Sequence, residues 1–202
     1  WIHDRIMRDG LENDMVIGSG LVDMYGKCGS FKEASKLFDE LPLKDTVACG
    51  AMISGFSQMG NLSLVRKCLQ TMEKQGLRPD SSTYSCILSA FSLTGQVDEG
   101  SIQFMSMLED NMIIPTAVHF NAMAHLLGCS GQLHEAQELL ACMPVIPDII
   151  SQTSLLASCI SYGNMHMAGQ SFEQVITQDP NIAAGYVLMS NAYAGLHREN
   201  YL

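Results

Sequence analysis

The residues of this chain best suited to metal or nucleophilic chemistry are its seven cysteines and six histidines. Cys28, Cys49, Cys68, Cys86, Cys129, Cys142 and Cys159 are scattered about a helix length apart with no Cys-x-x-Cys among them, which is neither a disulfide framework nor a zinc pattern. Most fall in apolar helical runs, where a free thiol packs as a small hydrophobe, and unpaired thiols in this number predict a reducing compartment. His119, His125, His134 and His166 are dispersed, with none at ligand spacing to a second histidine or a cysteine, and His125 reads as an ordinary half-buried side chain. The tripeptide "HRE" at His197 to Glu199 matches the first half of the zinc deaminase pattern, but no Pro-Cys-x-x-Cys follows it in this chain. There is no Gly-x-Gly-x-x-Gly and no Walker loop. The sequence therefore predicts no catalytic residue, no metal and no cofactor. Whatever this protein does, it is expected to do by presenting a surface.

Composition narrows the kind of surface. With 47% hydrophobic and 16% charged residues, the 202-residue chain is too apolar to be a disordered tail. No apolar run approaches the length needed to span a bilayer, so no membrane partner is expected. Eleven basic against twenty-one acidic residues give a net charge of −10. That balance argues against generic nucleic-acid binding, which needs a basic footprint to neutralise phosphates. Trp1 is not an initiator residue, so the sequence is expected to open inside a longer chain, with any targeting peptide outside it.

The elements that must carry the surface are marked by a recurring break. The glycine in "YGKCGSFKEASKLF" returns in "FSQMGNLSLVRKCL", "FSLTGQVDEGSIQF", "LGCSGQLHEAQELL" and "SYGNMHMAGQSF". These align Gly29, Gly60, Gly95, Gly131 and Gly163 at steps of 31, 35, 36 and 32 residues. Such periods indicate a solenoid. Each unit opens with an apolar-periodic helix (Leu21 to Tyr25, Met52 to Phe56, Ile87 to Phe91, Met123 to Leu127, Leu155 to Ile160), which the glycine ends by taking a left-handed conformation. A second amphipathic helix follows, with Ala34, Leu37 and Phe38, or Ala136, Leu139 and Leu140, on one face. Prolines in "LPLKD", "GLRPD", "IIPT", "VIPD" and "QDPN" then stop the unit, and the Asp, Thr or Asn beside them suits the next N-cap. A two-helix unit cannot bury its apolar face alone, so neighbours must stack into a continuous core. The expected fold is all-α: a right-handed superhelical solenoid of helix-turn-helix repeats.

These periods, with "GLVDMYGKCGSFKEASKLFDELPLKD" running into "AMISGFSQMGNLSLVRKCLQTMEKQGLRPD", resemble the plant pentatricopeptide repeat family, specifically its PLS subclass. On that resemblance residues 1–14 are a partial L-type unit, 15–45 an S-type unit, 46–80 a P-type unit, 81–116 an L-type unit and 117–148 the last S-type unit. Residues 149–182 are similar to an E-type, tetratricopeptide-like motif and 183–202 to a second, truncated one. A tetratricopeptide array is the near neighbour, since "DPNIAAGYVLMSNAYAGLHR" also reads as one of its units. Its steady 34-residue period fits the alternation here poorly.

The resemblance implies that each unit addresses one RNA base through its fifth and last residues, short polar side chains that can meet the edge of an unstacked base. Carried over, Ser19 with Asp45 would prefer guanine and Asn121 with Asp148 uracil. Gly50 with Asp80 lacks a side chain at the fifth position, and Ser85 with Thr116 belongs to a loosely reading L-type unit. Val16, Val47 and Val118 match the position that wedges between bases in the family, and Ser82 departs from it. Each Asp or Asn is equally well explained as a helix cap, and each valine, judged without the family, as core. The implied function is sequence-specific binding of single-stranded RNA in a chloroplast or mitochondrion, directing C-to-U editing. The deaminase would be supplied in trans, through the E-type motifs, or by a further C-terminal domain. The alternative is a protein-interaction scaffold with little RNA affinity, for which fourteen methionines and the acidic charge speak. The two differ in charge: the RNA reading needs Lys27, Lys32, Arg66, Lys67, Lys74 and Arg78 to leave the groove of first helices less acidic than the outer face.

Overall fold

The computed structural model describes residues 14–199, preceded by residues 5, 6, 8, 10 and 11. Most of the partial unit expected over residues 1–14, and residues 200–202 of the final motif, lie outside the described residues. The described chain from Met15 on is helical hairpin after helical hairpin, with no strand among the described residues. The first helices of successive hairpins are α1 (Met15–Lys27), α3 (Thr46–Gln58), α5 (Ser81–Thr94), α7 (Ala117–Cys129) and α9 (Ile149–Ser161). Their partners are α2 (Phe31–Glu40), α4 (Leu62–Lys74), α6 (Val97–Glu109), α8 (Leu133–Ala141) and α10 (Met165–Gln178), and α11 (Ala183–Glu199) opens a further hairpin.

Two compact units divide the chain. The first runs to Thr94 and takes in Glu99–Ile114; the second comprises Gly95–Asp98 and everything from Pro115 on. In the first unit α1 packs against α3 and α3 against α5, with α2 and α4 lying alongside. The core these helices close is Leu21 and Val22, Met52, Ile53 and Phe56, then Ile87, Leu88 and Phe91, covered by Ala34, Leu37 and Phe38 from α2 and by Val65, Cys68 and Met72 from α4. In the second unit α7, α9 and α11 form the corresponding row, with α8 and α10 against them. Met123, Leu126, Leu127, Leu155, Leu156, Ala136, Leu140, Ala168 and Val175 are buried there. The apolar faces predicted for the second helices are thus the buried ones, except that Leu139 is only half buried.

Local chemistry sets the boundaries. The predicted glycines Gly29, Gly60, Gly95, Gly131 and Gly163 all adopt positive φ, between 64° and 81°. At the first of them the amides of Gly29 and Ser30 turn back to the carbonyls of Gly26 and Tyr25 at 3.0 and 2.9 Å, satisfying acceptors that the end of α1 would otherwise leave open. At the other end, Asp14, Asp45 and Asp148 cap α1, α3 and α9, and Asp80 accepts from the Thr83 amide at the start of α5. Thr116 and His119 form a capping box at α7. His119 is fully buried there, with Nδ1 accepting from the Thr116 amide at 2.9 Å.

The cysteines divide more evenly than the sequence suggests. Cys49, Cys68 and Cys159 are buried, Cys86 is half buried, and Cys28, Cys129 and Cys142 are exposed near helix C-termini. All seven are free thiols. Burial pushes the Cys49 thiol up to about 11 and that of Cys68 to about 12, which makes both inert packing groups. Among the described residues no group of three or more His, Cys, Asp or Glu could hold a metal ion, and no helix is long and apolar enough to cross a membrane.

Candidate nucleic-acid interface

In each unit the first helices are almost without charge. Apart from the histidines His119 and His125 of α7, the only acidic or basic side chains of α1, α3, α5, α7 and α9 are Asp23 and Lys27 of α1, which pair with each other at 2.6 Å. Of the six cations singled out from the sequence only Lys27 lies on a first helix. Lys32 belongs to α2, Arg66, Lys67 and Lys74 to α4, and Arg78 to the connection before α5. Arg66 is engaged with Glu99 of α6, its Nε donating to Oε2 at 2.8 Å. The bodies of the first helices are therefore short of both signs rather than rich in lysine and arginine, and the carboxylates nearest to them are the capping Asp14, Asp45, Asp80 and Asp148 at their N-termini.

The sequence-derived base-contacting residues fall into different settings. Ser19 is buried, at 2% exposure, and its Oγ has no hydrogen-bond partner, so it is not joined to Asp45. Asp45 accepts from the Ala48 amide at 2.8 Å, and Asp80 from the Thr83 amide at 2.8 Å. Gly50 faces Thr83: a Cβ built on it would stand 3.0 Å from the threonine Oγ1. Ser85 donates to the Ser81 carbonyl at 3.1 Å within α5, while Thr116 caps α7 in the other unit. Val16, Val47 and Val118 are exposed by 73, 57 and 56%, each the second residue of its helix.

Asn121 and Asp148 are brought together. Asn121 Nδ2 donates to Asp148 Oδ2 at 3.1 Å. A third residue, which sequence reasoning missed, completes the group: the Ser151 hydroxyl lies 2.6 Å from Asn121 Oδ1 and also bonds Asp148 Oδ1, while the Ser151 amide donates to Asp148 Oδ1 at 2.8 Å. The available signal was the spacing Asp-x-x-Ser, the third residue after an N-cap, which recurs as Asp-x-x-Thr at Asp80 and Thr83. Partial burial works to raise the Asp148 carboxyl, but the bonds from the Ser151 hydroxyl and amide, the Asn121 amide and the Ile150 amide outweigh it and hold the group below the usual carboxylate range. A carboxyl depressed on folding contributes stability above its unfolded pKa and loses it as pH falls through the folded value. Wild type is therefore expected to lose its margin over Asp148→Asn as pH drops below about 4. Urea denaturation of both proteins at pH 7 and at stepwise lower pH reads this directly.

Further along the same face, His125 is exposed rather than half buried, and its Nε2 lies 3.5 Å from Cys129 Sγ. The two are four residues apart on α7, a spacing the sequence reading passed over. They border a hollow of about 330 Å³ with Ser154, Ser158 and Tyr162 of the second unit. The backbone of His197 to Glu199 ends α11, and the side chains of that tripeptide lie outside the described residues.

An array of two-helix repeats with glycine-ended first helices and short polar residues at their N-termini is a helical-repeat protein, and comparison with known sequences gives its family. A sequence profile described as "PPR repeat family" matches residues 44–92, and one described as "PPR repeat" matches residues 19–45, 82–112 and 118–145. The chain belongs to the pentatricopeptide repeat family. A chloroplastic pentatricopeptide repeat-containing protein of Arabidopsis thaliana is 36% identical over 201 residues, covering 98% of this chain and 36% of the relative. A mitochondrial one from the same plant is 34% identical over 193 residues, covering 96% of this chain and 35% of the relative. The chain thus spans about a third of the length of these relatives. Among solved structures, the pentatricopeptide repeat protein PPR10 in complex with an 18-nucleotide psaJ RNA element superposes with a TM-score of 0.79 at 18% identity, over 96% of this chain and 29% of that one. The pentatricopeptide repeat domain of Arabidopsis thaliana protein-only RNase P 1, in complex with tRNA, gives 0.73 at 15% identity, over 87% of this chain and 96% of that one. Both likenesses establish the fold.

Proposed function

We propose that this chain reads single-stranded RNA base by base, as part of a PLS-type pentatricopeptide repeat protein with E-type motifs, and directs C-to-U editing of a transcript in a chloroplast or mitochondrion. The deaminase comes from another protein or from a further region of a longer chain. The observation that carries the reading is the Asn121–Asp148 pair: an amide and a carboxylate at the fifth and last positions of the 117–148 repeat, hydrogen-bonded at 3.1 Å, beside helices nearly free of charge. One amide face can offer a donor and an acceptor to a pyrimidine edge. The exposed Val16, Val47 and Val118 supply apolar edges at a repeating register, suited to sit between unstacked bases. The named relatives and the RNA-bound structures add weight to RNA as the ligand and to an organelle as the place.

The test is fluorescence anisotropy of a labelled RNA carrying G, two variable bases and U, against G-to-C and U-to-G versions, at two salt concentrations. Affinity is expected to be weak overall, with the U-to-G change costing about tenfold or more, since one base contact contributes roughly 1–3 kcal/mol. Asn121→Ala should erase that difference. Absence of binding to every RNA at low salt would instead support a protein-interaction scaffold. That second reading is favoured by the net charge of −10 and by a groove of about 440 Å³ in the second unit, where Leu140, Met143 and Ile146 stand beside Gln137, Gln152 and Gln174.

A further inference from the structure

Asn121 of α7, Asp148 at the start of α9 and Ser151 one turn further on form a closed hydrogen-bonded ring within the second unit. We propose that Ser151 is a positioning residue for base selection: by holding the Asn121 amide at its oxygen end while Asp148 holds the nitrogen end, it fixes the plane of the amide and makes it select uracil against cytosine. This rests on the RNA-reading function above.

The assignment follows from donor and acceptor counting. An ionised carboxylate only accepts, so the end of the Asn121 amide that faces Asp148 must be the NH2 group. That sets the sense of the amide. Its oxygen then faces Ser151, the donor 2.6 Å away, which shares its one hydroxyl proton between Asn121 Oδ1 and Asp148 Oδ1. One hydrogen bond would leave the amide a pivot, whereas bonds at both ends fix it. Ser151 is itself only 5% exposed and its backbone is held by the Asp148 cap, so the hydroxyl sits on a rigid base.

The consequence lies in the edges of the pyrimidines. Along its 3,4 edge uracil sets an acceptor beside a donor, and cytosine sets a donor beside an acceptor. An amide free to turn meets either base by exchanging its two ends. An amide held at both ends has one order only, and the wrong base leaves polar groups unpaired. Part of this geometry recurs in the first unit: Thr83 stands third after Asp80 as Ser151 does after Asp148, its amide bonds that aspartate at the same 2.8 Å, and its hydroxyl faces the fifth residue of the preceding first helix, Gly50.

The test measures anisotropy with RNAs bearing U or C at the position addressed by Asn121, for the whole chain as wild type, Ser151→Ala and Ser151→Thr. Carbon-13 NMR follows the Asp148 carboxyl in parallel. Ser151→Ala is expected to reduce the U-over-C preference about tenfold, the scale of one two-point base contact, while Ser151→Thr restores it. The Asp148 titration should move up in Ser151→Ala and return in Ser151→Thr. If Ser151→Ala does not fold, Ser151→Cys, whose thiol is a poor donor, takes its place. A wild-type preference that survives loss of the hydroxyl overturns the proposal and leaves RNA reading standing. If wild type shows no preference for either base, RNA reading at this site fails and the proposal with it, whether or not the Asp148 titration responds.

Discussion

Gly131→Ala is expected to destabilise the second unit by about 2–3 kcal/mol, from two separable causes. Gly131 follows the end of α7 with φ at +81°, a conformation in which a Cβ costs roughly 1–2 kcal/mol. The Cβ would also stand 2.9 Å from Cε1 of Tyr162. That ring is half exposed and can swing aside, but only by giving up the bond its hydroxyl donates to the Cys129 carbonyl at 2.6 Å, which contributes roughly 0.5–1.5 kcal/mol. Gly60, at φ +64° with nothing near its missing Cβ, isolates the backbone cause. Urea denaturation of Gly60→Ala and Gly131→Ala should therefore show the second as the larger loss. The excess should vanish when Gly131→Ala is made in a Tyr162→Ala background. Equal losses at the two glycines would mean that the tyrosine contact adds nothing.

Gly50→Asn is expected to create a uracil preference of about tenfold where wild type has little, at the base following the G. The Thr83 amide caps onto Asp80 as that of Ser151 does onto Asp148, the Thr83 hydroxyl faces position 50, and an asparagine there would supply the missing amide. The new Cβ lies 3.0 Å from Thr83 Oγ1, so the hydroxyl must shift by a few tenths of an ångström, which a rotation of that side chain supplies. Anisotropy with the four bases at that position reads the result. A preference for U over C that disappears again in Gly50→Asn combined with Thr83→Val would show that the three-residue arrangement transfers between repeats. An unchanged base profile in a variant that melts like wild type would show that it does not.

The parts of this molecule legible in the sequence are those fixed by local rules. Glycines 31 to 36 residues apart could be placed because a left-handed residue ends a helix whatever packs on it, and the buried faces of α2 and, Leu139 apart, α8 follow from helical spacing. Residues that act across two helices were harder to find. Asn121 and Ser151 are thirty positions apart, and only the packing of α7 on α9 brings amide to hydroxyl. Helical spacing likewise could not show that Ser19 is covered while Val16, three residues before it, is exposed. The face that stays in solvent depends on the neighbouring repeats. The cations were misjudged for a related reason. Net charge counts residues without regard to layer, and here both signs are concentrated on second helices and connections, leaving the first helices neutral.

The N-caps have an evolutionary corollary. Asp45, Asp80, Thr116 and Asp148 each close one repeat and start the first helix of the next. If the proposed RNA reading holds, a mutation at such a position faces two tests at once, the base it would contact and the helix it must begin. Loss of a cap costs about 1 kcal/mol, which leaves Asp, Asn, Ser and Thr as the residues through which the position can drift freely. The alphabet for retargeting the last residue of a repeat is thus limited by protein folding before any RNA is involved. The fifth residue, already inside the helix, is free of the capping requirement and is limited instead by packing, as the buried Ser19 and the crowded Gly50 show.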